Sequence, residues 1–426
     1  MKRLTTLLLV LALTIIFTSA VMAQEVTIRY WTQDAAPYVK SAEENIAAFE
    51  AENPNINVKL ETFSEYRTKV YTSFASKTEA DVIEIYGSIA SFAKGNSILP
   101  VPEDVMSKKE IEDTYIQAAL KNKQLDGKYY GLPEELNMES PGLLVNVDLV
   151  EEAGMEIPAA WDENNGPASW SELIEFAREL TVIDNGVMKQ AGLGVVNGQE
   201  SAMFLSLIWQ MGGDFRDPEN RVINFDTEVA RDAVEFMKNL IEGENRVHST
   251  QFSGRMDAFM ERTAAMTIGA PWYAASFDLQ APDLNYKYYN LPPFIEGADP
   301  HFVGEGGWGY IVSSRTEHPE AAWKFVDFMM QRENQFEWAE TVGAISSRQD
   351  AEEYFTGDDP ISTAIQIAEH AKEPGAYTLD TGQLVWSIVR TNLRAMLHNE
   401  VSIDEGLKNM EEEANRMIER NYSRGE

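Results

Sequence analysis

Three consecutive stretches near the N-terminus constrain the fold most. Val26-Thr27-Ile28-Arg29-Tyr30-Trp31 alternates apolar and polar residues and predicts a strand. Pro37 to Glu52 carries Val39, Ile46, Ala47 and Phe49 at roughly helical spacing and stops at Asn53-Pro54-Asn55. Ile56 to Leu60 alternates again. Tyr66 to Ser76 has helical character, and Asp81-Val82-Ile83-Glu84-Ile85-Tyr86 is a third strand. This alternation predicts an α/β sheet with helices on its faces.

The pattern breaks after Leu125. Asp126-Gly127-Lys128-Tyr129-Tyr130-Gly131 is a turn-and-strand stretch, and a second α/β region follows. Helices are expected near 171–181, 201–211, 227–242 and 256–261, with a buried strand at Ala264 to Ile268. Pro319 to Met330 sets Ala322, Phe325, Val326 and Met329 on one helical face, with proline at its start. Ser402 to Arg420 is a further helix, rich in Glu and Lys/Arg. No low-complexity linker or internal repeat separates the regions, so two lobes joined by ordered crossings are expected. A chain of 426 residues has room for two or three domains at about 100–200 residues each.

Composition removes several classes of function. With 35 basic and 69 acidic side chains the formal charge is −34, which disfavours nucleic acid and anionic membrane surfaces as partners. There is no cysteine, hence no disulfide, thiolate metal site, thiol nucleophile or lipid-modified cysteine. The N-terminus has the order of a secretory signal: basic Lys2-Arg3, an apolar run from Leu7 to Phe17, and small residues Val21 and Ala23 before Gln24. The run is shorter than the roughly 20 residues of a membrane span. Cleavage after residue 23, export and a soluble periplasmic product without a lipid anchor are expected.

Catalytic motifs are missing. His248, His301, His318, His370 and His398 are scattered and form no HExxH or paired ligand spacing, so each is read as a surface or structural histidine. No GxSxG elbow or Walker A loop occurs. Gly304-Glu305-Gly306-Gly307-Trp308-Gly309 matches GxGxxG literally, but it leads into the strand-like Tyr310-Ile311-Val312 rather than opening a helix. A glycine run beside a tryptophan implies close backbone approach instead, to a ligand or at a domain crossing. Carboxylate pairs such as Glu134/Glu135 are expected by chance among 69 acids, and the ordinary reading is a solvated face. Neither cofactor nor metal is implied.

Aromatic residues say more. Of nine Trp and sixteen Tyr, several sit where polar loops begin: Trp31, Tyr86, Trp272, Tyr273, Trp308 and Trp386. Core packing accounts for most aromatics, but a flat ring beside polar side chains is also a platform for the C–H face of a sugar.

The order of the segments resembles the extracellular solute-binding proteins of family 1, the maltose-binding-protein type that serves ABC importers. Phe49-Glu50 with Asn53-Pro54-Asn55-Ile56-Asn57-Val58 resembles its opening block, and Asp81-Val82-Ile83 with Gly95 to Pro100 its next. Asp126-Gly127-Lys128-Tyr129-Tyr130-Gly131-Leu132-Pro133 followed by Asn146 and Asp148-Leu149, Ser169-Trp170-Ser171-Glu172-Leu173, and Ala265-Met266-Thr267-Ile268 with Pro271-Trp272 follow in order. Gly307-Trp308-Gly309 and Pro319-Glu320-Ala321-Ala322-Trp323-Lys324-Phe325 close the series.

The resemblance implies a two-lobed periplasmic binding protein fold of type II, with discontinuous lobes, no catalysis and a ligand cleft between the lobes. The expected lobes are 24–135 with 306–340, and 136–305 with 341–426. Crossings are expected near Pro133–Glu135, near Gly304–Trp308, and between the Pro319 helix and Gly343. By position it implies ligand contacts from Trp31 and Gln33, from Tyr86 and Ser88, and from Asn137 or Glu139. Further contacts fall to Glu200, to Trp272 with Tyr273, to Gly307 with Trp308, and to Trp386 with Arg390 four residues on. Ser201 and Ala202 stand where the maltose-binding type has an aromatic side chain. The expected ligand is a neutral sugar, oligosaccharide or polyol, since a negative cleft would disfavour anions. A non-sugar solute is the alternative, and a secreted glycosidase the remoter one. The implied partner is a membrane permease, and a monomer is expected because closure needs free lobes.

Overall fold

The computed structural model describes residues 25–196, 198–252 and 256–423. The expected signal segment and Asn197 lie outside them. Strand Val26–Gln33 pairs in parallel with Ile56–Phe63 on one side and Val82–Glu84 on the other. Helix Ala36–Glu52 makes the crossover, with proline in its first turn, and ends at Asn53. Two later segments, Gly309–Val312 and Gly131–Pro133, add antiparallel to complete a five-stranded sheet. Helix Pro319–Met329 covers one face, where Phe325 meets Tyr30 and Phe49 edge-on at 5.3 and 5.1 Å.

A second five-stranded sheet runs Tyr286–Asn290, Gly142–Asn146, Ala264–Gly269, Val187–Gly194, Val182–Asp184. Its helices form where side-chain oxygens cap the first turn: Ser169 accepts from the Glu172 amide before Trp170–Glu179, and Thr227 from the Ala230 amide before Glu228–Glu242. Apolar faces of Glu200–Gln210, Arg390–Leu397 and Ile403–Ser423 share its core. The turn-and-strand stretch is a hairpin of Gln124–Leu125 and Lys128–Tyr129, with Asp126 and Gly127 both left-handed at φ 51° and 73°.

The sheets are joined by a third, three-stranded one. Leu136–Glu139 leaves the first sheet for the second, Phe302–Gly306 returns antiparallel beside it, and Ala371–Lys372 flanks the return. After helix Arg332–Val342 the chain runs alongside this seam, where Ile345 O accepts from the Leu136 amide at 2.9 Å. Gln335 Nε2 donates to Glu134 O at 2.9 Å.

The glycine run belongs to this seam. A Cβ on Gly306 would strike Ala119 O, one on Gly309 would strike Leu132 O, and one on Gly307 would strike the Glu135 carboxylate. Close backbone approach therefore occurs at the crossing. Buried against it, Lys123 is wholly enclosed, and its Nζ donates to Gly87 O and Gly307 O at 2.8 Å each. Gly307→Ala should lower the free energy of unfolding by about 1–3 kcal/mol, because the added methyl displaces Glu135. Urea denaturation checks this, and an unchanged midpoint would mean that the seam yields without cost.

Candidate functional site

Between the two sheets lies a cavity of about 1300 Å³. It sits where the parallel strands of both sheets end, the place at which α/β sheets leave room for ligands. From the first sheet, Gln33 ends strand Val26–Gln33 and Tyr86 follows Val82–Glu84. From the second, Trp272 follows Ala264–Gly269. The seam supplies Glu135, Asn137, Glu139 and Trp308 as floor, and the late helical segment supplies Trp386, Arg390 and Arg394.

Aromatic rings form one wall. Trp308 is the centre, with Tyr38 at 5.3 Å, Tyr86 at 5.5 Å and Tyr66 at 6.1 Å. The Trp308 amide donates to Glu135 Oε2 at 2.9 Å, and Tyr66 OH donates to Trp31 O and Glu84 O at 2.9 and 2.6 Å. On the floor, Asn137 Nδ2 donates to Tyr86 OH at 2.6 Å and to Glu139 Oε1 at 2.8 Å. The two positions that compete for one role by sequence are thus hydrogen-bonded neighbours lining the same cavity.

Opposite, Trp386 lies in a π-helical turn, Leu384–Val389, that precedes helix Arg390–Leu397. A regular helix is expected there from spacing alone. The wider turn still sets the Arg390 guanidinium 4.9 Å over the Trp386 ring. Arg390 Nη2 donates to Gly198 O at 2.9 Å, and Arg394 Nε to Glu200 Oε1 at 2.5 Å.

Of the side chains singled out by sequence, Gln33, Tyr86, Asn137, Glu139, Trp272, Trp308, Trp386 and Arg390 line this cavity. The other five do not. Trp31 is fully buried, edge-on to Phe63 at 5.0 Å, with Nε1 donating to Glu61 Oε2 at 2.7 Å. It shares a strand face with Gln33, but only Gln33 reaches the strand end. Tyr273 is fully buried behind Trp272, their ring centroids 4.4 Å apart, in space left by Gly269. Glu200 is fully buried and accepts from Arg394, so it anchors a lining residue from behind. Gly307 contributes backbone to the seam. Ser88 lines a neighbouring cavity of about 440 Å³.

Two expectations need correcting. Glu134 and Glu135 are not a solvated face; both are buried, Glu134 wholly. Nor is the cavity wall simply negative, since Arg67, Arg390 and Arg394 share it with Glu135 and Glu139. Sequence reasoning also passed over Tyr38, Arg67 and Arg394. Only Arg394 had a signal, the continuation of the Trp386, Arg390 four-residue spacing.

The chain matches the family described as bacterial extracellular solute-binding protein over residues 34–336. It belongs to that family. The arabinooligosaccharide-binding protein of Bacillus subtilis is 24% identical over 302 residues, 68% of this chain and 61% of that one. The multiple sugar-binding protein of Streptococcus mutans is 23% identical, over 72% of this chain and 71% of its own. The GacH receptor of Streptomyces glaucescens, solved unliganded and with acarbose, superposes with TM-score 0.74 at 20% identity, covering 93% of this chain and 99% of that one. The fold of this family member is the two-lobed maltose-binding-protein type. Among the described residues no helix is long and apolar enough to cross a membrane.

Burial also shifts the titration of the seam. It raises Glu84, Glu135, Glu305 and Glu373 to about 7, and lifts Glu134, beside the Glu84 charge, well above the carboxylate range. Between pH 4.5 and 7 the folded protein therefore holds protons that the unfolded chain has released, so stability should fall as pH rises through that window. Buried His248, lowered to about 4, and His301, lowered by burial, oppose this as two groups against five carboxyls, and Lys123, lowered to about 7 by burial, acts only above it. The melting temperature should decline from pH 5 to pH 7, with a shallower slope in Glu84→Gln. A melting temperature that climbs across this range would contradict the assignment.

Proposed function

We propose that this family member is the substrate-binding protein of an ABC importer, capturing a neutral carbohydrate between its lobes and delivering it to a membrane permease. The observation that carries the reading is the cavity between the two sheets, where Trp272, Trp308 and Trp386 stand beside Asn137, Glu139 and Arg390. A sugar needs flat apolar surface for its C–H face and fixed donors and acceptors for its hydroxyls. Relatives named for binding arabinooligosaccharide and multiple sugars support it. The lobes are assigned as 24–135 with 306–340 and 136–305 with 341–426, and closure as a rotation about the seam. Catalysis has no part in this reading. The chain is exported by cleavage after residue 23, is not lipid-anchored, and acts as a monomer, which light scattering checks.

A thermal-shift screen of refolded, ligand-stripped protein tests the ligand class, using mono- and oligosaccharides, polyols, amino acids and sugar phosphates. A ligand at 100 times its dissociation constant adds about 2.7 kcal/mol, a few degrees for a chain this large. A shift confined to carbohydrates is expected. A shift with charged compounds alone would overturn the sugar reading and keep the binding-protein one.

Trp272→Ala should weaken binding of the sugar so found by more than about tenfold, leaving the ligand-free melting temperature nearly unchanged. A large drop in that temperature would make Trp272 a core residue like Tyr273.

A further inference from the structure

Lys123 is wholly buried, and its ammonium donates to two backbone carbonyls, Gly87 O and Gly307 O, at 2.8 Å each. A neutral donor would serve two carbonyls at less cost, because taking an ammonium out of water is expensive. The identity of the partners says what the charge does. Gly87 directly follows Tyr86, and Gly307 directly precedes Trp308. The two carbonyls therefore belong to the segments that carry two rings of the cavity wall, 5.5 Å apart.

The residue before it repeats the grip. Lys123 ends the short 3-10 helix Lys121–Lys123, where Asn122 Nδ2 donates to Gly306 O at 2.6 Å and Asn122 O accepts from the Ile89 amide at 3.0 Å. One turn thus clasps the loop after Tyr86 and the link before Trp308. It is fixed from behind, since Lys123 O accepts from the Tyr130 amide at 3.0 Å. Tyr86 carries the effect to the cavity floor, because its hydroxyl accepts from Asn137 Nδ2 at 2.6 Å. Hydrogen bonds from a charged donor are roughly twice as strong as neutral ones, so the ammonium is the firm part of the clasp.

We infer that Lys123 is a positioning residue for ligand capture: its ammonium fixes Tyr86 and Trp308 at the spacing the ligand meets, and the protonation of Lys123 thereby regulates affinity. This rests on the carbohydrate reading above and adds a control to it. The charges that face the ammonium are Glu305, from strand Phe302–Gly306, and Glu135 and Glu134, from the first crossing. Burial lowers Lys123 to about 7, and the three carboxyls oppose that shift. Burial also raises Glu135 and Glu305 to about 7, so their ionisation in the same range delays loss of the Lys123 proton, while Glu134, held higher, contributes least there. The wall is complete while Lys123 is charged. Affinity is therefore fully present below about pH 7 and is lost as pH rises above it.

The test is calorimetric titration with maltotriose, arabinotriose and mannotriose from pH 6 to pH 9. In parallel, ligand-free protein labelled with 5-fluorotryptophan is followed by fluorine NMR, with the Trp308 resonance assigned by Trp308→Phe. Wild-type affinity for the trisaccharide that binds should fall by about tenfold or more toward pH 9, and the Trp308 resonance should move over the same range. Lys123→Met keeps the length without the donors; it should bind about tenfold more weakly at pH 6, with no further fall and no titration of Trp308. Glu305→Gln keeps an acceptor for Thr381 but removes the charge, and should shift both transitions to lower pH. That shift and the wild-type profile decide the matter even if Lys123→Met does not fold. A flat wild-type profile, a fall that persists in Lys123→Met, or a transition unmoved in Glu305→Gln would overturn the role of Lys123 and leave the carbohydrate reading standing. A Trp308 resonance that titrates as described in a protein that binds no carbohydrate would do the reverse.

Discussion

The cavity between the two sheets depends on how closely the chain packs at the crossing. Gly306, Gly307 and Gly309 lie where any Cβ would strike Ala119, Glu135 or Leu132. That contact brings Lys123 within reach of both Gly87 and Gly307, and the Gly87 amide itself donates to Gly307 O at 2.9 Å. The loop carrying Tyr86 is thereby tied to the link between strands Phe302–Gly306 and Gly309–Val312 that carries Trp308. A buried ammonium is costly unless its donors are satisfied. Here backbone carbonyls supply the partners, and nearby Glu305 and Glu135 favour its charge. The crossing seam and the cavity wall are in this sense one structure.

The cavity combines surfaces that a polyhydroxylated ligand needs. Its aromatic wall is rigid because each ring is held by another or by backbone. Its polar groups are fixed in advance: Asn137 is bonded to Tyr86 and Glu139, and Arg394 to the fully buried Glu200. Such preorganisation reduces the ordering that binding must impose. In the proposed role the same fixed groups discriminate, because a hydroxyl of the wrong configuration would leave a buried partner unpaired.

Much of this was legible in the sequence. Period-two and helical patterns located the strands and helices, and Pro319 marked a helix start, while the caps at Ser169 and Thr227 emerged only with the structure. Literal motif matching misleads at Gly304–Gly309, while the context of the following strand points to the crossing. The direction of single side chains was less legible. Trp31 and Gln33 share a strand face, and only distance from the strand end separates a core ring from a cavity residue. Trp272 and Tyr273 adjoin in sequence, and their rings touch, yet Trp272 lines the cavity while Tyr273 is fully buried behind it. The burial of Glu134 and Glu135 depends on residues far along the chain, Tyr310 and Trp308, which no local pattern encodes. The π-helical turn at Trp386 likewise arises from tertiary packing.

The most direct test of the central claim is a crystal structure of the protein with a bound carbohydrate. The sugar should lie between the two sheets, with a ring flat against Trp272, Trp308 or Trp386 and hydroxyls within hydrogen-bond reach of Asn137, Glu139 or Arg390. A carbohydrate bound elsewhere, with the cavity between the sheets holding only water, would contradict the account.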